Sequence, residues 1–135
     1  MPTSRYLRLV WFSALYDLLV TLPFATPWTA RIMLAQLREL HVRVGAGGAT
    51  TPPFEPLHFM FLSFFGTIVT MWAIYRLLCT RREHGLVDGC SRIAFAFWEG
   101  LALWQGQSHL LFGFLAIEIF FGVMQLAWFP RARSF

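Results

Sequence analysis

Long apolar runs, each broken by one or two polar residues and separated by clusters of arginine, give this chain its pattern. The first run covers 6–26 and is punctuated by Pro23 and Pro27. The second, 57–79, is the least interrupted. The last, 109–129, carries Glu118 and Gln125 and stops at Pro130. A helix rises 1.5 Å per residue, so about 20 residues cross the ~30 Å hydrocarbon core of a bilayer, and each of these runs has span length. A further run, 90–106, is shorter and contains Glu99.

Between the first two runs the texture changes. Over 29–44, Ala30, Met33, Leu34, Leu37 and Leu40 recur at helical spacing, with Arg31, Arg38, Glu39 and Arg43 on the other faces. That pattern predicts an amphipathic helix lying in the membrane interface, or one packed on another protein. A loop rich in Gly, Thr and Pro follows at 45–56, long enough to act as a lid. A polar loop is expected at 80–89, carrying Arg81, Arg82, Glu83, His84 and Asp88.

Charge decides the status of the short run. All eleven basic residues are arginine, and cytoplasmic loops of membrane proteins concentrate such residues. If Arg76, Arg81, Arg82 and Arg92, at or before the start of the short run, and Arg131 and Arg133, after 109–129, lie on one side, an even number of crossings separates them. The two runs then form a hairpin. Arg5 and Arg8 join the same side, giving eight arginines inside against Arg31, Arg38 and Arg43 outside. The fold class expected is all-α: a single membrane domain, 1–135, with four spans and one interfacial helix, in an inner membrane with both termini cytoplasmic. Tyr6, Trp11, Trp28, Trp104 and Trp128 fall near the expected interfaces, as an aromatic belt does.

Composition narrows the class. With 57% hydrophobic and 13% charged residues and a mean hydropathy of +0.56, the chain lies far from the soluble average of roughly 25% charged. The net charge of +4 does not point to nucleic acid, because the arginines flank apolar runs instead of forming a patch with interleaved aromatics. Arg5 and Arg8 before an apolar run suggest a signal peptide, but Asp17 interrupts the run and no small-residue cleavage site follows. Cys79 and Cys90 are too few for a disulfide framework and lack C-x-x-C spacing.

Carboxylates near a bilayer centre cost ~2.5–3.5 kcal/mol on insertion scales, so they face protein or a cavity. Asp17, Glu99 and Glu118 each lie roughly 12–15 Å from the nearer end of their segment, at a common depth. Ser13, Asp17 and Thr21 share a face of the first span. Ser63, Gly66, Thr67 and Thr70 share one on the second. Arg92, Glu99 and Gly106 repeat by seven on the third, as Glu118 and Gln125 do on the fourth beside Gly122. Four such stripes predict one polar interior, with Asp17, Glu99, Glu118, Gln125, Thr67 and Thr70 as ligand-binding or proton-relay candidates. The same residues also suit hydrogen-bonded helix–helix contact, and at least one carboxyl is expected to be protonated. Arg92, two turns from Glu99, is not expected to neutralise it. His58 and His109 begin the second and fourth spans, with Glu55 and His41 nearby, and are the weaker candidates for a metal or haem. Phosphate-cradling Gly loops, H-E-x-x-H and G-x-S-x-G motifs are absent.

Four short helices, with GFLAIEIFFGVMQL placing Glu118 and a glycine in the last, resemble the DoxX-like group of small bacterial membrane proteins. The resemblance covers the topology and part of one helix, and no motif transfers a site; the helix at 29–44 departs from the group's pattern. Some members of that group are associated with quinol-oxidising complexes, so the resemblance implies an accessory subunit. The function expected is therefore a binding or accessory protein for a lipophilic ligand, such as a lipid or quinone, or for a larger membrane complex. An oligomeric proton- or cation-coupled transporter or channel using the midplane carboxylates is the alternative. A membrane enzyme with Glu99 or Glu118 as acid/base, assisted by His58 or His109, ranks last. The expected partners are the lipid bilayer and either further copies of the chain or a larger membrane complex, with no nucleic acid.

Overall fold

The structure, a computed structural model, describes residues 3–129. Among them it is all helical: α1 (Thr3–Thr21) with a 3-10 turn (Leu22–Ala25), α2 (Pro27–Arg43), α3 (Pro56–Leu78), α4 (Arg82–Trp104) and α5 (Leu111–Trp128). Pro23 ends α1, since it lacks the amide proton that the helix needs. Thr26 then caps α2, accepting from the Thr29 amide at 3.2 Å with Pro27 in the first turn. α3 opens on a reciprocal cap between Glu55 and His58, again followed by proline. α4 closes at Gly106, whose φ of 91° admits glycine where a Cβ would be strained.

Three stretches are long and apolar enough to cross a membrane: Thr3–Ala25, Pro56–Leu78 and Leu111–Trp128. Their surfaces are inverted relative to a soluble protein. Leu19, Phe61, Phe64, Ile68, Met71, Phe112 and Phe120 are exposed, while Ser13, Asp17, Thr70, Glu118 and Gln125 are buried. An apolar exterior around a polar interior is what a lipid solvent selects.

α1 packs against α3, α4 and α5, and α4 pairs with α5. Tyr6 donates to the Gln125 carbonyl at 3.0 Å and Arg82 to that of Phe129, so the starts of α1 and α4 meet the end of α5. Arg76, near the end of α3, reaches Ser13 and Asp17 on α1. The opposite end holds α2, the loop at 44–55 and the α4–α5 turn, joined by bonds between Ala49 and Gly106 and between His109 and Gly47. Glycines set the close approaches. A Cβ on Gly85 would fall 2.3 Å from the Tyr6 hydroxyl, and one on Gly66 2.3 Å from the Phe24 backbone.

Several expectations are corrected. The polar stretch at 80–89 is not a loop, because α4 begins at Arg82 and continues without a break through the run expected at 90–106. His84, Gly85, Asp88, Gly89 and Arg92 form its buried face, spaced at helical intervals. The helix was hidden in sequence because its inward face is the polar one. α4 is as long as α3, but its charges keep it out of the apolar set. Tyr6 is fully buried and belongs to the core, whereas Trp28 and Trp104 are well exposed. Ala30 and Leu34 of the amphipathic stripe face Phe59, Phe24, Phe54 and Leu62 of this same chain. Arg38, on another face of α2, donates to the Thr51 and Pro52 carbonyls, both at 2.9 Å.

Candidate functional site

The polar interior is a chain of charges crossing the four long helices. α1 contributes Ser13 and Asp17, one turn apart; α3 contributes Arg76; α4 contributes Asp88 and Arg92, again one turn apart; α5 contributes Glu118 and Gln125. Residues four apart on a helix stack on one face, and those seven apart return to it after two turns, so each pair presents two groups inward.

Arg92 is the hub. Its Nη2 donates to both Asp17 carboxylate oxygens at 2.7 Å, its Nε to Asp88 at 3.0 Å, and its Nη1 to Glu118 at 3.0 Å. Arg76 binds Asp17 and reaches Asp88 at 2.8 Å. Gln125 donates to Asp88 at 2.7 Å and to the Ser13 hydroxyl at 2.8 Å. The two guanidiniums are 0% and 2% exposed, with Trp72 beneath Arg76 and Phe121 beneath Arg92. Arginine suits this place because its planar, always charged fork serves several carboxylates at once.

The arithmetic of charge is uneven. Asp17, Asp88 and Glu118 bring three carboxyls to two guanidiniums, so full ionisation leaves one negative charge over. Taking ions out of water costs several kcal/mol each, and only close geometry and complete hydrogen bonding recover it.

Of the residues singled out in the sequence, Asp17, Glu118 and Gln125 meet here. Glu99 stands outside the network, half-buried, with a buried Oε2 that has no hydrogen-bond partner. Arg92 does not bond Glu99, as expected; its pairing with Asp17, Asp88 and Glu118 was not foreseen. Thr70 is buried with an unpartnered hydroxyl. Thr67 points elsewhere, donating to the Ala25 carbonyl at 3.4 Å.

Asp88, Arg76, Arg92, Ser13 and Tyr6 complete the assembly. Asp88 had been assigned to a loop, and Arg76 and Arg92 to the set of cytoplasmic topology signals. Their burial removes both arginines from that set, leaving Arg5, Arg8, Arg81 and Arg82; Arg131 and Arg133 lie outside the described residues. The signal was available in the i, i+4 spacing of Asp88 and Arg92 and in the isolation of Arg76 within an apolar span.

The histidines serve local structure. His58 accepts from the Glu55 amide at 3.0 Å, and His109 lies against Gly47 and Phe112. His41 bonds the Ser108 hydroxyl at 2.6 Å, tying α2 to the α4–α5 turn. Among the described residues, no group of three His, Cys, Asp or Glu side chains is placed to hold a metal. His84, in the first turn of α4, is buried against the rings of Trp72 and Tyr75.

Open space lies at the other end. A cavity of about 100 Å³ separates Leu37, Arg38 and His41 from Ser108, Leu111 and Phe114. A larger groove of about 390 Å³ runs between the starts of α2 and α3, lined by Pro27, Arg31, Phe59, Met60, Ser63 and Phe64.

No family model matches this chain, and neither a curated protein nor a solved structure does.

Proposed function

We propose that the chain is a four-crossing membrane protein of the binding or accessory kind, which holds a lipophilic ligand at the end of the bundle remote from its ion network. The groove of about 390 Å³ between α2 and α3 carries this reading. Its size falls within the ~300–1,000 Å³ of small-molecule sites and its lining is mostly apolar. The interior supports the same role by contrast, since its carboxylates are engaged by guanidiniums. A lipid or quinone is the class of ligand proposed, consistent with the accessory role implied by the DoxX-like resemblance.

α4 is the fourth crossing in this proposal. Its inward charges are matched by neighbours, while Leu86, Val87, Ile93, Phe95, Phe97 and Trp98 face outward. The free cysteines test it, because both are exposed. In membranes, a water-soluble, impermeant maleimide should label Cys79, at the end of α3, from the cytoplasmic side. Cys90, eight residues into α4, should stay unlabelled until detergent is added. Rapid labelling of Cys90 in intact membranes would remove α4 from the bilayer.

The ligand itself is tested by native mass spectrometry of gently solubilised protein. A retained lipophile, displaced when Met60→Trp fills the groove, is expected. Retention unchanged by that substitution would place the ligand elsewhere.

The surplus carboxyl and the unpartnered Glu99 oxygen favour a second reading, an oligomeric proton-coupled transporter. Reconstituted protein would then carry protons in liposomes and lose that flux in a folded Glu99→Gln or Glu118→Gln variant.

A further inference from the structure

We infer that the α2–α3 groove is a binding site for a phospholipid with an anionic headgroup, with Arg31 as its phosphate ligand. This rests on the lipophilic-ligand reading of the same groove and adds the chemistry of the head.

Three arginines lie on α2, and their surroundings differ. Arg38 spends its donors on the Thr51 and Pro52 carbonyls. Arg43 pairs with Glu39, one turn back. Arg31 has no carboxylate and no hydrogen-bond acceptor among the described residues. Its guanidinium carbon lies 4.7 Å from the centroid of the Phe59 ring. Phe59 is itself buried against Ala30 and Leu34, so the ring is a fixed platform.

A guanidinium over an aromatic face is held by the ring quadrupole, while its N–H groups lie around its edge. Those donors are the fork that matches two phosphate oxygens. Arg31 is therefore positioned without being consumed.

The remaining walls suit the rest of an amphiphile. Pro27 and Pro56 are rigid, and Met60 and Phe64 continue along α3 as an apolar track for the first methylenes of an acyl chain. Ser63 also lies in the lining, its buried hydroxyl without a partner. Trp28, next in sequence to the lining residue Pro27, is 75% exposed, and tryptophan favours headgroup level. No carboxylate lines the groove, so the ammonium of a zwitterionic headgroup would find no counter-charge there. That asymmetry selects phosphatidylglycerol-like lipids over phosphatidylcholine.

The test uses the full chain, purified and delipidated in mild detergent, titrated with phosphatidylglycerol and phosphatidylcholine of matched acyl chains and followed by native mass spectrometry. Inorganic phosphate and glycerol 3-phosphate serve as headgroup-only probes. One phosphatidylglycerol should bind about tenfold more tightly than phosphatidylcholine, whose phosphate makes the same contact but whose ammonium adds a second cation beside Arg31 that no carboxylate of the lining offsets. Arg31→Gln should weaken both lipids, phosphatidylglycerol the more, and so abolish the preference, while Arg43→Gln should leave both unchanged. Met60→Trp, checked for an unaltered unfolding temperature, should weaken both lipids. Equal affinities in the wild type, or a preference surviving Arg31→Gln, would overturn the headgroup assignment while leaving a lipophile groove standing. Tight binding of inorganic phosphate alone would show a free-anion site and overturn the lipid. Absence of any Met60→Trp-sensitive lipid would overturn the groove itself.

Discussion

The two ends of this molecule handle arginine in opposite ways. Around Asp17 and Asp88, Arg76 and Arg92 are buried and hold five ion pairs between them. At the far end, Arg31 sits on Phe59 at a groove whose lining holds no carboxylate. A guanidinium in a low-dielectric interior must be matched by anions, so the first pair are fixed parts of the frame. One beside an open groove keeps its charge by partial hydration and, in the reading proposed above, stays available to a ligand. Identical side chains are thus structural in one place and receptive in the other, according to what surrounds them.

Removing the hub should break this contrast most forcefully. Arg92→Met strands Asp17, Asp88 and Glu118 around a single remaining cation, and should cost about 3–5 kcal/mol, read by denaturation of the detergent-solubilised protein. Arg31→Met should cost well under that. Similar losses for the two variants would erase the distinction between the ends.

Gly66→Ala should come next. Its new Cβ would meet the Phe24 carbonyl, which is backbone and cannot rotate away, so α3 and the 3-10 turn must separate. Overpacking of this kind costs about 1–3 kcal/mol. The sharper readout is local: α2 is carried by that turn, so hydrogen exchange should rise in α2 more than in α5. A uniform rise over all helices would show that the two ends unfold as one.

Arg38→Gln should release the loop at 44–55 from α2 for about 1 kcal/mol or less of global stability. Protease cleavage within that loop should accelerate while α4 and α5 remain protected. An unchanged cleavage rate would mean that the bonds to Gly106 and His109 hold the loop unaided.

The smallest effect is expected at Glu118. Glu118→Gln removes the surplus negative charge and leaves Asp17 and Asp88 opposite Arg76 and Arg92, so stability should change by less than about 1 kcal/mol, against several for Arg92→Met. A loss comparable to that of Arg92→Met would show that all three carboxylates are needed as anions.

Much of the frame was legible without coordinates. Three apolar runs of span length are dictated by the cost of exposing backbone and polar groups to hydrocarbon, and the prolines at 23, 27 and 56 mark helix ends by the absence of an amide proton. The convergence of Asp17, Glu118 and Gln125 also followed from spacing, since helical periodicity fixes which residues share a face. What periodicity does not fix is which faces meet. Asp88 read as loop because a helix with a charged inner face looks polar until its partners are known. Arg76 and Arg92 read as markers of the cytoplasmic side because a lone arginine carries no sign of whether an anion awaits it on another helix. α2 was amphipathic on either account, and only packing decided that Ala30 and Leu34 cover Phe59 of the same chain. Local sequence determines where helices start, stop and bury a stripe, because those terms act within a few residues. The pairing of charges across α1, α3, α4 and α5, and the unpaired state of Arg31, depend on contacts between segments far apart in the chain, so they belong to the tertiary structure alone.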